Sequence, residues 1–355
     1  MQPFVYNALP WRVVFGAGRV SELGNELVAL GTERAIFCVS PGRAEEVGSI
    51  SDRLEEKCVG IAANALPFSP IEDVREAFDH ARDVEADSVV SYGGGNATGL
   101  GKMLADEFDI PLVAIPTTYS GSETTTLQAV REDGKRVQLK SLRMLPKSVI
   151  YDPELTLGLS PEIAIPSGFN AMAQAVSCFF GRDTNPVSAL NAEAGIRAMS
   201  SALERISKDP ADIDARGDAL YGAFLCGSTI MASGTTLQHR VCHVLAGDLG
   251  LTHAKAHTIM LPHVVNYNRS ARPEAETAIA RALGANDGDG AGAVFDALVR
   301  CGAPTALKDI GMREDDIDRA ADLAMESTLH FNTRPLDRAA IGKTIEDAYF
   351  GRRPS

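Results

Sequence analysis

The chain has 355 residues, which is enough for two domains with a large core. Its formal net charge of −13 argues against a basic face, so neither a nucleic acid nor an anionic membrane is an expected partner. There is no signal-peptide pattern at the start, no evident membrane span, and no CxxC pair among the six scattered cysteines. These features are typical of a cytoplasmic enzyme with reduced thiols.

The first part of the chain alternates short β-rich runs with helical patterns. This alternation predicts an α/β domain over residues 1–158, with a parallel sheet and helices on both faces. The clearest predicted strands are 35–39, 88–92 and 111–115. A ligand in such a sheet binds beyond the carboxyl ends of the strands, so the turns that follow these strands are predicted to outline one cleft.

The residues of those three turns are suited to a dinucleotide. Glycines let backbone N–H groups approach a pyrophosphate, a following helix points its positive end at the anion, and hydroxyls suit ribose and amide groups. We call residues 93–96 the glycine turn and residues 116–123 the hydroxyl turn. Neither one matches the GxGxxG fingerprint or a P-loop, so we expect a less common mode of nucleotide binding. The alternative is that both are tight turns that bind no ligand. The predicted cofactor-binding residues are Ser40, Pro41, Gly42, Gly93, Gly94, Gly95, Asn96, Thr117, Thr118 and Ser122.

The remainder of the chain is rich in alanine and has few β-branched runs. This composition predicts an all-α domain over residues 159–355, with clear helices at 185–203 and 218–233. The chain thus reads as an N-terminal α/β dinucleotide-binding domain followed by an all-α C-terminal domain.

Five of the seven histidines lie between positions 239 and 263. His239 and His243 are four positions apart, as are His253 and His257, so each pair shares one face of a helix. Imidazole binds metals and transfers protons near neutral pH, so the spacing indicates a functional cluster. Two solvated helices that happen to be rich in histidine are the alternative, and His263 is expected to be a packing residue.

Several motifs along the chain carry a family resemblance. They are GGGNATGLGK (93–102), PTTYSGSE (116–123), VIYDP (149–153), RVVFGAG (12–18), NPV (185–187), HAKAH (253–257) with LPH (261–263), GAPTAL (302–307) and GRRP (351–354). With these motifs the whole chain resembles the iron-containing (group III) alcohol dehydrogenase superfamily, and more narrowly its maleylacetate reductase subgroup. The resemblance implies a dinucleotide-binding domain, a helical domain, an active site in the cleft between them, and a homodimer.

The superfamily's usual metal ligands are an Asp, a His four residues later and two further His. The matching positions here are Asn170, Gln174, His239 and His253. Neutral amides are poor ligands for a first-row transition metal, so no tightly bound metal is expected. Gln238, where the subgroup tends to have a second His, and the segment around Leu329 and His330 also depart from the pattern.

The resemblance implies that hydride from NADH or NADPH reduces the carbon–carbon double bond of maleylacetate, giving 3-oxoadipate. Charge then develops on an enolate, which a protonated imidazole or another hydrogen-bond donor can stabilise. We predict that His243 and His253, with His239 and Tyr119 nearby, polarise the ketone and deliver the proton. His257 is predicted to orient its partner.

A carboxylate substrate requires polar and cationic groups in the helical domain. We predict Asn170, Gln174, Arg240 and Arg334 as its contacts, with ordinary surface positions as the alternative for both arginines. No carboxylate follows the strand at 35–39, where one would favour NADH, so NADPH is accepted in principle. NADH is not excluded.

Two other functions stay open. Gln174, Gln238 and the segment around His330 are compatible with a carbonyl or aldehyde reductase of the same superfamily acting on another small substrate. A non-redox lyase or a silent ligand-binding member is the third possibility, although lyases of this kind need the full metal site.

Overall fold

The computed structural model describes residues 3–133, 135–285, 288–326 and 331–354, so Leu329 and His330 lie outside the described residues. The chain divides into two compact units. One spans Leu9–Leu159, and the other begins at Ser160 and includes the residues before Leu9. The division falls one residue after the predicted boundary at 158, and the described residues before Leu9 group with the helical unit.

The α/β unit is built on a six-stranded parallel sheet with the order β1-β8-β5-β4-β2-β3, and β6 pairs with β7 in a separate antiparallel hairpin. Its strands are β1 Arg12–Phe15, β2 Ala35–Cys38, β3 Cys58–Ala62, β4 Ser88–Gly93, β5 Leu112–Pro116, β6 Leu127–Glu132, β7 Lys135–Lys140 and β8 Ser148–Tyr151. Its helices are α1 Leu23–Ala29, α2 Ala44–Ser51, α3 Ile71–Asp83 and α4 Gly95–Phe108.

Alternate residues of the central strands enter two different hydrophobic cores. Ile36 and Cys38 of β2 pack with residues of α3 and α4, whereas Phe37 packs with residues of α1 and α2 on the opposite face. Since successive side chains of a strand point to opposite faces, helices must cover both sides of this sheet. The predicted α/β class and the three predicted strands are confirmed.

The strand order reverses between β2 and β4. From β2 the chain continues to its neighbour β3 at the sheet edge, whereas from β4 it continues to β5 on the other side. In open α/β sheets such a reversal leaves a crevice at the carboxyl ends of the two strands, and ligands bind there. The turns after β2 and β4 flank this crevice. The β6–β7 hairpin was not predicted from the sequence.

The second unit is helical over its described residues. Its helices are α5 Pro161–Phe180, α6 Pro186–Lys208, α7 Ile213–Ser233, α8 Leu237–Gly247, α9 His253–Asn268, α10 Pro273–Ala282, α11 Gly290–Arg300, α12 Asp316–Glu326 and α13 Arg338–Phe350. The predicted helices at 185–203 and 218–233 correspond to α6 and α7, and the predicted all-α class is confirmed.

Helix α5 forms the centre of this unit. It is long and apolar enough to pass a test for a membrane span, unlike any other helix among the described residues, but 89% of the tested window is buried within the protein. Core helices of globular units have this same composition, because they are apolar on every side. Asn170 and Gln174 therefore project from a helix whose position is fixed by packing.

Candidate functional site

The glycine turn joins β4 to α4. Gly93 has φ of +142°, and a Cβ added to Gly94 would lie 3.0 Å from the side chain of Thr118, so both positions favour glycine. No side chain caps α4, whose first amides precede the Thr98 N–H that bonds to Gly94 O over 3.1 Å. These free N–H groups and the helix dipole suit an anion such as a pyrophosphate.

The other two predicted turns lie beside the glycine turn. The backbone N–H of Thr117 donates to Gly93 O over 2.9 Å, which joins the turn after β5 to the glycine turn. Arg43, next to Gly42, donates from Nη1 to Thr117 Oγ1 over 3.1 Å. The three turns therefore meet at the carboxyl edge of the sheet. The cofactor contacts of their individual residues stay predictions.

A buried lysine of α4 holds the hydroxyl turn through hydrogen bonds. Lys102 of α4 is fully buried, and its ammonium group donates to Ser122 O over 2.6 Å, Thr125 Oγ1 over 2.8 Å and Leu127 O over 3.0 Å. Burial lowers the pKa of Lys102 to about 7. The resemblance includes this lysine within GGGNATGLGK, but its anchoring role was missed because burial cannot be read from the motif.

Glu123 lies in the same buried layer. Its Oε1 accepts a 2.8 Å hydrogen bond from the Tyr151 hydroxyl. Burial raises the pKa of Glu123, although the hydrogen bond and the nearby Lys102 both oppose that shift. Tyr119 is also fully buried, with its hydroxyl 3.4 Å from Thr156 Oγ1. The predicted catalytic role of Tyr119 stays a prediction.

The helical unit gathers four histidines. His239 and His243 lie on α8, and His253 and His257 lie on α9. The ring of His257 lies 4.6 Å from that of His253 and 5.0 Å from that of His239, measured between centroids. His243 lies 6.1 Å from His239 and stacks on His253 at 6.2 Å. The two i,i+4 pairs thus face each other and form one histidine cluster.

The histidine cluster runs from the surface into the core. His253 is exposed, His243 is half-buried, His239 is 8% exposed and His257 is fully buried. Burial, together with His253 and His239, holds the pKa of His257 well below its usual range. His257 is therefore neutral at physiological pH.

Two polar side chains orient the buried rings. Ser177 Oγ lies 3.2 Å from His239 Nδ1, and Thr236 donates to the same Ser177 oxygen over 3.1 Å. Gln238 Nε2 lies 3.3 Å from His257 Nδ1 and donates to His257 O over 3.0 Å. In the sequence Gln238 is only a departure from the family pattern, whereas the structure places both Ser177 and Gln238 against histidine rings.

Asn170 and Gln174 are one turn apart on α5, with Gln174 8% exposed. The backbone oxygen of Gln174 accepts a 3.4 Å hydrogen bond from Thr229 Oγ1 of α7. Within the described ranges, no group of three or more His, Cys, Asp or Glu side chains is arranged to hold a metal ion. The predicted substrate contacts of the two amides stay predictions.

Both predicted substrate arginines bond to helix ends. Arg240 donates to the carbonyls of Ala324 and Met325 at the end of α12, the latter over 2.7 Å. Arg334 donates to Tyr267 O over 2.7 Å and lies 4.2 Å above the Tyr267 ring. These contacts give each arginine a structural role, and the substrate role stays a prediction.

His263 lies apart from the rings of the cluster. It is 3% exposed and packs edge-on against Phe295, with ring centroids 6.5 Å apart. Burial lowers the pKa of His263 to about 4. This geometry agrees with the predicted packing role of His263. Because His263 lies outside the histidine cluster, its replacement can serve as a control for changes within the cluster.

Comparison with known proteins gives the chain a family. The model of the iron-containing alcohol dehydrogenase family matches residues 10–153, and that of the family's C-terminal domain matches residues 164–349. Maleylacetate reductase of Burkholderia cepacia is 42% identical over 355 residues, covering all of both chains. The structure of maleylacetate reductase from Agrobacterium tumefaciens is 40% identical with a TM-score of 0.95, and that from Rhizobium sp. strain MTP-10005 is 39% identical with the same TM-score, each over the full length of both chains. The chain therefore belongs to the iron-containing alcohol dehydrogenase family and is an NAD(P)-dependent oxidoreductase.

Proposed function

We propose that this protein reduces maleylacetate to 3-oxoadipate without a metal ion. The relatives named maleylacetate reductase are similar over the full chain, and the observation that carries the proposal here is the histidine cluster of the helical unit. NADH or NADPH supplies the hydride when bound. The hydride adds to the double bond conjugated with the ketone, and the remaining negative charge passes to the ketone oxygen as an enolate.

The histidine cluster suits the proton that must follow. An enolate oxygen is stabilised by a cationic or N–H donor, and the carbon next to the ketone then takes a proton. His253 is exposed and His243 stacks on it, so these outer rings can exchange protons with solvent and present them to a substrate. His257 is neutral and fully buried, so it acts on the outer rings and not on bulk solvent.

The chain's donor set does not fit the divalent metal that its family usually binds. Asn170 and Gln174 offer neutral carbonyl oxygens where the family has a carboxylate and an imidazole. The metal-binding positions that remain, His239 and His253, supply two imidazoles, fewer than the three or more protein ligands of a tightly held catalytic metal.

We propose that both nicotinamide cofactors are accepted. A carboxylate after β2 would favour NADH, but Ser40, Pro41 and Gly42 occupy that turn. Arg43 follows them and is a cation that could meet a 2′-phosphate. Its guanidinium is held by Glu46 in a bidentate pair, with Nε to Oε1 at 2.9 Å, so that carboxylate opposes NADPH.

The test is the oxidation of NADH and NADPH by chelator-treated protein with freshly prepared maleylacetate, followed by absorbance. Turnover that neither zinc nor iron increases is the expected result. The cluster variant His253→Asn should lose most of kcat, whereas His263→Asn, outside the cluster, should retain it. Turnover that requires added metal would overturn metal independence alone.

A reductase of small aldehydes or keto acids is the second candidate. It is favoured by Gln174 and Gln238, which depart from the subgroup's pattern at the site. The same assay with a panel of these compounds separates the two, because a specific maleylacetate reductase should turn over the conjugated keto acid far faster. Turnover of the panel without turnover of maleylacetate would favour the second candidate. A homodimer in the cytoplasm is the accompanying proposal on assembly and location.

A further inference from the structure

Gln238 is a fully buried glutamine that contacts the innermost ring of the histidine cluster twice. Its Nε2 atom donates to the backbone oxygen of His257 over 3.0 Å and lies 3.3 Å from Nδ1 of the same residue. Cys242 Sγ, 3.5 Å away, is its third neighbour. Two contacts with one histidine constrain both the backbone and the ring of that residue.

The backbone carbonyl fixes which way the Gln238 amide points. A carbonyl oxygen can only accept hydrogen bonds, so the Gln238 atom 3.0 Å from it must be the NH2 nitrogen. The reversed amide would bring two oxygens together at that distance. The second N–H has two acceptors in reach, His257 Nδ1 at 3.3 Å and Cys242 Sγ at 3.5 Å. A bare imidazole nitrogen is a stronger acceptor than sulfur, so we assign the second N–H to Nδ1, which is then the acceptor.

We infer that Gln238 is a positioning residue that fixes His257 as the neutral tautomer with its proton on Nε2. The Nε2 atom is buried and has no hydrogen-bond partner, while the ring lies beside His253 and His239. Gln238 Oε1 is buried without a partner as well, so the amide is oriented by what its nitrogen donates to. The histidine cluster thus contains a buried N–H donor at His257 Nε2, and Gln238, which is outside the cluster, determines that the proton is on this nitrogen.

The consequence for the reaction rests on the proposed function. A buried Nε2–H disfavours a second N–H on a neighbouring ring and favours a bare nitrogen there, because a donor attracts a lone pair and repels another donor. The tautomer of His257 therefore decides whether its buried Nε2 offers the neighbouring His253 and His239 rings a donor or an acceptor. After proton transfer, the same N–H stabilises the deprotonated ring.

The test is 15N NMR of the full-length protein labelled at histidine, with His257 assigned from the signals missing in His257→Gln. The inference expects an unprotonated Nδ1 and a protonated Nε2 in the wild type. Gln238→Met keeps the side-chain length but removes the donor, so it should give a mixture of tautomers. Gln238→Glu, which only accepts when ionised, should move the proton to Nδ1.

Cys242→Ala is the matched control, because it removes the third neighbour of Gln238 and leaves both contacts with His257. It should preserve the wild-type tautomer. Gln238→Met should lower kcat with maleylacetate by about tenfold and change KM less than twofold, which is the scale for groups that orient a reacting side chain. A wild-type Nδ1–H, or an unchanged tautomer in both Gln238 variants, would overturn the inference. The NMR result does not depend on which substrate is turned over, so a failure of the proposed function is recognised separately.

Discussion

The ammonium group of Lys102 donates a 2.6 Å hydrogen bond to the backbone carbonyl of Ser122, which fastens α4 to the turn that follows β5. Lys102 also bonds to Thr125 and Leu127, so one side chain supports a loop of several residues. The same helix, α4, therefore contacts both turns of the predicted nicotinamide site, the glycine turn at its start and the turn after β5 through Lys102.

Replacing that lysine tests the support. Lys102→Met keeps the aliphatic stem but removes the donor shared by the carbonyls of Ser122 and Leu127 and the Thr125 hydroxyl. We expect the free energy of unfolding to fall by about 2–4 kcal/mol and KM for NADH to rise. Urea denaturation and initial rates measure both. An unchanged KM in a destabilised variant would show that the loop keeps its conformation without Lys102.

The stability contributed at Lys102 should depend on pH. Its pKa is lowered from 10.5 to about 7 in the folded protein, so between these values the unfolded chain binds a proton that the folded chain does not. The free energy of unfolding then rises with pH from about 7 to 10.5, by at most about 1.4 kcal/mol per pH unit. The contribution of Lys102 to this free energy is lowest below pH 7. The difference in unfolding free energy between wild type and Lys102→Met, measured from pH 7 to 10, should rise. A flat difference would contradict the lowered pKa.

Cofactor choice should respond to Glu46. Glu46→Gln removes the carboxylate that neutralises Arg43, so kcat/KM with NADPH should rise by roughly fivefold, about 1 kcal/mol, with little change for NADH. Glu45→Gln makes the same change in net charge at an exposed neighbour and should alter neither value. Equal effects of the two variants would indicate a general charge effect instead of a contact with Arg43.

The glycine turn should not tolerate a side chain. In Gly94→Ala the new Cβ would lie 3.0 Å from Thr118 Cγ2 and Oγ1, so the Thr118 side chain must shift within the turn after β5. We expect KM for the nicotinamide to rise by about tenfold or more. Gly48→Ala on α2, where an added Cβ meets nothing within 4 Å, should leave KM unchanged. Cofactor titration by fluorescence would check binding directly.

Arg240 offers a choice between a structural and a substrate role. Arg240→Met leaves the carbonyls of Ala324 and Met325 without their donor, so the structural role predicts a loss of about 1–3 kcal/mol in stability with KM for maleylacetate unchanged. The substrate role predicts a large rise in KM. Thermal denaturation and kinetics on the same preparation distinguish the two outcomes.

The sequence was sufficient where local periodicity determines structure. The central strands are continuous apolar runs bounded by glycine or proline, and the histidine cluster follows from i,i+4 spacing on two helices. The β6–β7 hairpin was missed because its strands, LQAVRE and KRVQLK, are polar and partly exposed on both sides. Only Val130 of β6 is buried in the core, with Leu139 of β7 packed against the same cluster, so the alternation of apolar and polar residues is too weak for a strand prediction.

Side-chain partners could not be predicted in the same way. Whether a guanidinium contacts a substrate or the end of a helix depends on which elements pack beside it, and Arg240 is 84 positions from the Ala324 carbonyl that it meets. Gln238 and His257 are likewise on different helices. Residue type and spacing specify the chemistry of a group, but only tertiary packing specifies its neighbour.

The edge strand β1 pairs with β8 alone, and Arg12 lies opposite Ser148. Most of the sequence of the α/β unit lies between these two residues. Glu26 joins the two, accepting from Arg12 Nε and from Ser148 Oγ at 2.7 Å each. During synthesis, β1 has no partner until the chain has been made past β8, and β5 has an open edge for the same period. Pairings of such long sequence separation form slowly and expose strand edges meanwhile. The yield of folded protein should therefore depend on how fast β8 pairs with β1 and β5 after synthesis. This folding step involves neither the cofactor-binding turns nor the histidine cluster.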